Sequence, residues 1–236
     1  MKTFSFTGAQ RIVFGRGSFA GLPVHIAELR ITKPLVVLDG SLAAAGFGEK
    51  VDALLKNAGI AYELYDKAVP EPPLEMADDG AKLALKKKCD GVIGIGGGKT
   101  LDTAKLVSNQ LDIPLVIIPT VASTDAPCSA MSVIYDADGT FVVSARMKRN
   151  PDIVLVDTSV IVNAPVRSLV AGMGDAFATF YEARACRRSG AGNFSGGAAS
   201  EAGYALAELC NRLLLKYGYR AKQDVEREQW SEALEK

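Results

Sequence analysis

Three consecutive glycines, Gly96, Gly97 and Gly98, followed by Lys99 and Thr100, stand directly after the apolar run Gly91–Ile95 and open a helical pattern. Glycine lets a backbone approach an oxyanion without interference from a Cβ, and the N–H groups at a helix start attract a phosphate. The spacing is not that of a P-loop, which needs glycine where Ile93 stands, nor the usual GxGxxG, because Lys99 takes the third glycine's place. The chemistry indicated is pyrophosphate or dinucleotide binding; a turn that serves packing alone is the other reading. A second group, Thr120, Ser123, Thr124, Asp125, Cys128 and Ser129, is crowded into ten residues after the strand pattern Pro114–Ile118. Such a loop can shape itself around a polyhydroxy ligand, or satisfy its own backbone through Asx and Ser turns, and both readings stay open. Asp39 ends the run Pro34–Leu38, where an acid can accept from a ribose 2′-hydroxyl and repel a 2′-phosphate. On the residues alone, capping the next helix is the better reading of Asp39. Asp175, in Gly172-Met-Gly-Asp, is an acid among small side chains. It either faces a partner or metal at an interface, or caps or pairs with Arg184 nearby.

The elements that must position these residues are legible as alternating patterns. Short Val/Ile-rich runs at Arg11–Phe14, Pro34–Leu38, Gly91–Ile95, Pro114–Ile118 and Asp152–Val156 read as strands buried on both faces of a parallel sheet. Helical spacing separates them at Gly40–Asn57, Leu74–Lys88 and Thr100–Gln110. This alternation predicts an α/β fold: a doubly wound, mostly parallel dinucleotide-binding sheet over residues 1–163. Asp138-Gly139, between Val133-Ile-Tyr and Phe141-Val-Val, signals a projecting hairpin. From residue 164 to 236 the patterns are helical only, at Val166–Arg187, Ala198–Lys216 and Asp224–Lys236. Ala205, Leu206, Leu209, Leu213 and Leu214 form one apolar stripe there. About seventy residues with an uncapped last helix predict an incomplete all-helical domain, its stripe and its Trp230 helix left without partners and prone to self-association.

Composition narrows the classes. The 236 residues carry 27 Lys+Arg and 27 Asp+Glu, a formal charge of zero, which argues against nucleic-acid binding. No apolar run approaches the roughly 18 residues of a membrane span, and the N-terminus lacks an apolar signal region. The four cysteines, Cys89, Cys128, Cys186 and Cys210, form no CxxC pair and read as free thiols in a reducing cytoplasm. His25 is the only histidine, so this chain alone cannot build a multi-histidine metal site. It reads as a helix-face residue. Cys128 has no histidine near it in sequence and is a poor nucleophile candidate.

The motifs GGGKTLDTAK, PTVASTDAPCSAMSVIY, NPDIVLVD and AGMGDAFATFYEARAC, in this order, resemble those of the glycerol dehydrogenases, the zinc-dependent branch of the iron-containing alcohol dehydrogenase superfamily. The resemblance covers the chain from about Leu35 onward. It implies NAD-linked oxidation of glycerol and related vicinal diols to dihydroxyacetone, with zinc polarising the reacting hydroxyl. By that resemblance Gly96, Gly97, Gly98 and Lys99 meet the NAD pyrophosphate and Asp39 the adenine ribose. Thr120, Ser123, Ser129, Met131 and Tyr135 line the NAD site, Asp125 contacts the polyol, and Asp175 is a zinc ligand. The family's two further histidine ligands have no counterpart here, so the zinc site is incomplete and turnover is expected to be weak. A cytoplasmic homo-oligomer is expected. The alternatives are an NAD-binding fragment without catalysis, and another enzyme on the same scaffold such as a glycerol-1-phosphate dehydrogenase. The latter requires a cationic pocket that the loop's hydroxyls and acid do not offer.

Overall fold

The computed structural model describes residues 3–68, 74–136, 140–193 and 197–236. Six parallel strands form the central sheet: β1 (Arg11–Phe14), β2 (Pro34–Asp39), β3 (Glu63–Ala68), β4 (Gly91–Gly96), β5 (Leu115–Pro119) and β8 (Ile153–Val156). Their order is β1-β8-β5-β4-β2-β3. The helices on its faces are α1 (Leu22–Glu28), α2 (Gly40–Ala44), α3 (Phe47–Asn57), α4 (Leu74–Lys87) and α5 (Gly98–Leu111). The two-residue period of a strand sorts the side chains between two cores. Leu35 and Val37 of β2 pack with Leu101, Ala104 and Val107 of α5 and with the alanines of α4. Val36 and Leu38 point the other way, into a core with Ile26 of α1 and Val51 and Leu55 of α3. The result is the three-layer α/β/α arrangement that the alternating pattern predicts.

The order of strands reverses between β2 and β4. Chain growth from β2 places β3 on one side, whereas β4 crosses back and adds β5 and β8 on the other. In doubly wound sheets ligands bind at the carboxyl ends of the strands at such a point. Leu38 and Ile95 are paired neighbours, so Asp39 and Gly96, 57 positions apart in the chain, leave adjacent strands at the same edge. Gly96 also pairs with Pro119, which brings Thr120 to that edge, where its N–H donates to the Gly96 carbonyl at 3.0 Å.

Several expected elements are corrected, while the projecting hairpin is found as expected. The single helix expected over 40–57 is two, because Gly46 adopts φ +83° between α2 and α3 and turns the chain there. Strand β3 was hidden in the sequence because ELYDKA mixes polar and apolar residues. It is an edge strand paired only to β2, with Tyr65 buried and Leu64 exposed. The hairpin forms as β6 (Met131–Tyr135) and β7 (Phe141–Arg146), antiparallel. Its signal dipeptide Asp138-Gly139 lies outside the described residues. After α6 (Thr158–Ile161) come two long helices, α7 (Val166–Ser189) and α8 (Glu201–Glu226), and α8 outruns its expected end.

The helix expected over 224–236 is therefore not a separate one: α8 supplies its start, and only a short 3-10 turn, Glu232–Glu235, follows. This last segment is not partnerless either. Trp230 Nε1 donates to Thr158 Oγ1 at 3.1 Å, and the Arg16 guanidinium lies 4.9 Å from the indole centroid. Glu235 Oε1 accepts from the Arg16 N–H and from Thr158 Oγ1, each at 2.9 Å. The tail is thus tied back to the sheet domain. The Leu206 and Leu209 part of the α8 stripe does remain exposed.

Asp157 ties the first loop to the last strand of the sheet. Its buried carboxylate accepts from the Gly17 N–H at 2.9 Å and the Phe19 N–H at 3.0 Å, and caps α6 through the Ser159 N–H at 2.9 Å. Burial opposes its ionisation, but the hydrogen bonds from Ser159, Phe19 and Gly17 outweigh that and hold the carboxyl below the usual aspartate range. The unfolded chain therefore binds the proton more readily than the native one. The resulting stability is complete above about pH 4 and is lost as pH falls through the lower native value. Asp157→Asn is expected to destabilise the protein at pH 7 and to cost progressively less toward pH 2. Urea unfolding at the two pH values checks this, and an equal penalty at both would refute it.

Candidate functional site

Helix α5 starts where β4 ends, and no side chain caps it: Gly97 is its N-cap and Gly98 its first residue, with Lys99 next. Gly96 takes φ +152°, a conformation that L side chains rarely adopt, and that turn brings the chain from strand to helix start. A Cβ on Gly98 would lie 3.0 Å from Thr124 Cγ2, so the loop after β5 passes directly over the helix start. At 14 residues, α5 carries the dipole of a full-length helix, and its N-terminus is suited to an anion. The structure thus brings the glycine run and the hydroxyl-rich loop together at the strand-order reversal.

The loop is held by its ends. Thr120 is buried beneath Gly96, while Thr124 and Asp125 are exposed. The Cys128 N–H donates to the Asp125 carbonyl at 3.0 Å, and Asn150 Nδ2 donates to the Cys128 carbonyl at 2.8 Å. Ser129 Oγ points back to the carbonyls of Ala126 and Met131, at 3.4 and 3.5 Å. Ser123 sits against α7: a Cβ on Gly172 would meet its Cα at 3.0 Å. Of Tyr135 the backbone is described, paired with Phe141. Asp39 is the N-cap of α2, its Oδ1 accepting from the Leu42 N–H at 2.9 Å and from Ser41 Oγ. The capping reading of its carboxylate is therefore realised, at the same sheet edge as the glycines.

Asp125 and Asp175, 50 positions apart, line one cavity of about 630 Å³ between the loop, α7 and α8. Its floor is apolar, with Leu169 and Met173 from α7 and Leu209 and Leu213 from α8. Asp175 is exposed on α7. Among the described residues no cluster of three or more His, Cys, Asp or Glu side chains is placed to hold a metal ion. His25 is elsewhere, on α1, facing Glu28 with Nδ1 at 3.2 Å from Oε2. No described helix is long and apolar enough to cross a membrane.

Two further residues, given no role by the motif reading, stand under the loop. Lys105 on α5 is 2 % exposed, and its Nζ lies 2.6 Å from Asp102 Oδ1. Burial, the dominant effect, raises the Asp102 carboxyl above its ordinary value; the Lys105 charge and the Val133 N–H partly offset it. The signal in the sequence is the i, i+3 spacing of an acid and a base on one helix. That α5 is buried on all sides from Thr100 to Ser108, so that its charges must pair internally, emerges only in the structure.

A three-layer α/β/α sandwich with a glycine-opened helix at the strand reversal, followed by long helices that share a cavity with the loop after β5, defines a doubly wound α/β protein with an appended helical part. The family model for iron-containing alcohol dehydrogenase matches residues 9–158, and the chain belongs to that family. Among relatives, the glycerol dehydrogenase of Thermotoga maritima is 55% identical over 226 residues, covering 96% of this chain and 61% of that protein. The glycerol dehydrogenase of Escherichia coli O6:H1 is 43% identical over 208 residues, covering 86% of this chain and 56% of that one. Among solved structures, a probable glycerol dehydrogenase from Sinorhizobium meliloti 1021 superposes with a TM-score of 0.88 at 35% identity. That match covers 100% of this chain and 63% of the other. The chain spans about six tenths of the length of these two curated relatives.

Proposed function

We propose that this chain supplies the dinucleotide-binding half and part of the substrate cleft of an NAD-linked polyol oxidoreductase of the glycerol dehydrogenase type. The observation that carries this is the uncapped start of α5 at the strand reversal, with the Thr120–Met131 loop in contact over it. Gly96, Gly97, Gly98 and Lys99 face the pyrophosphate, Asp39 the adenine ribose, and Thr120, Ser123, Ser129, Met131 and Tyr135 the rest of the dinucleotide. The fit is supported by the close approach at Gly98, where any side chain would fill the space between helix and loop. NAD, when bound, supplies the hydride acceptor. Asp125 accepts hydrogen bonds from the hydroxyls of a small polyol and orients it in the cavity shared with Asp175. The residues described do not fit a complete zinc site, since the cavity offers two exposed carboxylates, Asp125 and Asp175, and no described group of three metal-ligating side chains. The domains of this reading are 1–163 for the dinucleotide and 164–236 for the helical side of the cleft. Self-association accompanies it, because Phe4, Phe6, Ile12 and Phe14 stand exposed along the N-terminal segment and edge strand β1. A cytoplasmic setting keeps the four thiols reduced.

That the described residues gather no three metal-ligating side chains favours a second reading, dinucleotide binding without brisk turnover. Calorimetry with NADH and an absorbance assay with NAD, glycerol and added zinc separate the possibilities. Saturable NADH binding with glycerol turnover far below that of the longer relatives is expected. Absence of any dinucleotide binding would overturn both readings.

A further inference from the structure

The least economical feature of the molecule is a lysine ammonium buried in the sheet domain. Lys105 Nζ donates to two backbone carbonyls of the substrate-side loop, Ala126 at 2.9 Å and Met131. Its contact with Asp102 Oδ1 at 2.6 Å is one of opposite charges rather than an aligned hydrogen bond. Asp102 in turn accepts the Val133 N–H on Oδ2 at 3.1 Å, and its own carbonyl accepts from Ser132 Oγ at 3.3 Å. One acid–base pair on α5 therefore gathers residues 126, 131, 132 and 133 to a single helix face. Stability alone gives no reason for such a pair, because replacing a buried ion pair by apolar side chains of similar volume is often neutral or stabilising. What an apolar pair cannot do is hold two converging carbonyls together.

We propose that Lys105, oriented by Asp102, is a positioning residue that clamps the Ala126–Met131 segment to α5 and thereby sets the place of Thr124 and Asp125 over Gly98. The geometry requires little else. Lys105 lies seven residues beyond Gly98, about two helical turns, so the anion-facing helix start and the clamp belong to one rigid element. Thr120 fixes the other end of the loop through its N–H to Gly96. The span between these anchors, carrying Ser123, Thr124 and Asp125, then has its position fixed relative to the helix start. The two ammonium bonds share one nitrogen, so they draw Ala126 and Met131 together across the short turn that holds Cys128. A neutral side chain of lysine's length with no donor would leave both carbonyls unpaired in the buried space beside α5, and the loop would lift away to solvate them.

The dinucleotide part of this proposal rests on the function proposed above; the clamp itself does not. The test compares the full chain with the variant D102L/K105M, which removes both charges and replaces them with apolar side chains of similar branching and reach. Amide hydrogen exchange by mass spectrometry reads the loop, thermal unfolding reads the fold, and calorimetry with NADH reads the site. In D102L/K105M the amides of 121–131 should exchange at least tenfold faster while those of β4 and β5 keep their protection. The thermal midpoint should stay close to that of the original chain, and NADH affinity should fall at least tenfold. A folded variant with unchanged loop exchange overturns the clamp. Faster loop exchange with unchanged NADH affinity overturns its link to the dinucleotide. If the original chain binds no NADH, the proposed function fails while the exchange comparison still decides the clamp. If the double variant does not fold, K105Q is read by the same exchange measurement: its single short amide should leave one carbonyl unpaired and loosen 121–131, and unchanged protection would again refute the proposal.

Discussion

Gly172→Ala is expected to lower the unfolding free energy by about 3 kcal/mol, the upper part of the range for forcing an extra methyl into a packed contact. A Cβ on Gly172 would sit 2.1 Å from the Ala122 carbonyl oxygen, 2.9 Å from its carbon and 3.0 Å from Ser123 Cα. All three are backbone atoms, which cannot swing aside as the end of a side chain can. The loop is held at Thr120 and again at Ala126, so relief requires that α7 or the loop move as a body. Gly174, two residues on in the same helix, is the internal control, because a Cβ there meets nothing within 4 Å. Gly174→Ala should be stabilising by about 0.5–1 kcal/mol, since it removes the entropic cost of a glycine inside a helix. Denaturant unfolding of the two variants measures the difference directly. Equal stabilities would mean that α7 does not seat against the loop as described. The same variant tests the cavity, whose two acids come one from each side of this contact.

How far the sequence could carry this picture depended on whether a residue's partner was local. The strand runs at Pro34, Gly91 and Pro114 are buried on both faces, so their composition announced them. The edge strand β3 is half solvated and did not stand out. Asp39 could be read as a cap because its partners, Ser41 and Leu42, are two and three residues away. That it shares a sheet edge with Gly96 follows from strand order, which no local pattern encodes. Trp230 was expected in an unpartnered helix because its partners, Thr158 and Arg16, lie 72 and more than 200 positions away. The meeting of Asp125 and Asp175 in one cavity is of the same non-local kind. Lys105 belongs between these cases: its i, i+3 spacing from Asp102 on one helix is local and legible, but the burial of the pair and the carbonyls it holds are not.

The most direct test of dinucleotide binding at the start of α5 is a titration with NADH followed at the backbone amides, on the original chain and on Gly98→Val. Gly98 has no room for a side chain on the loop side, with Thr124 Cγ2 3.0 Å and Ala126 Cβ 3.6 Å from the Cβ position. Valine must therefore either push the loop outward or project into the space assigned to the pyrophosphate. Either outcome costs phosphate contacts with the helix N-terminus, and NADH affinity should fall at least thirtyfold, about 2 kcal/mol. In the original chain the largest shifts on adding NADH should fall on Gly97–Leu101 and on the loop 120–131, with a smaller group at Asp39–Leu42. In Gly98→Val those shifts should vanish at the same NADH concentration while the signals of β1, β8 and α8 stay in place. Shifts confined to other parts of the chain, or equal affinity in the two proteins, would contradict the assignment of this site.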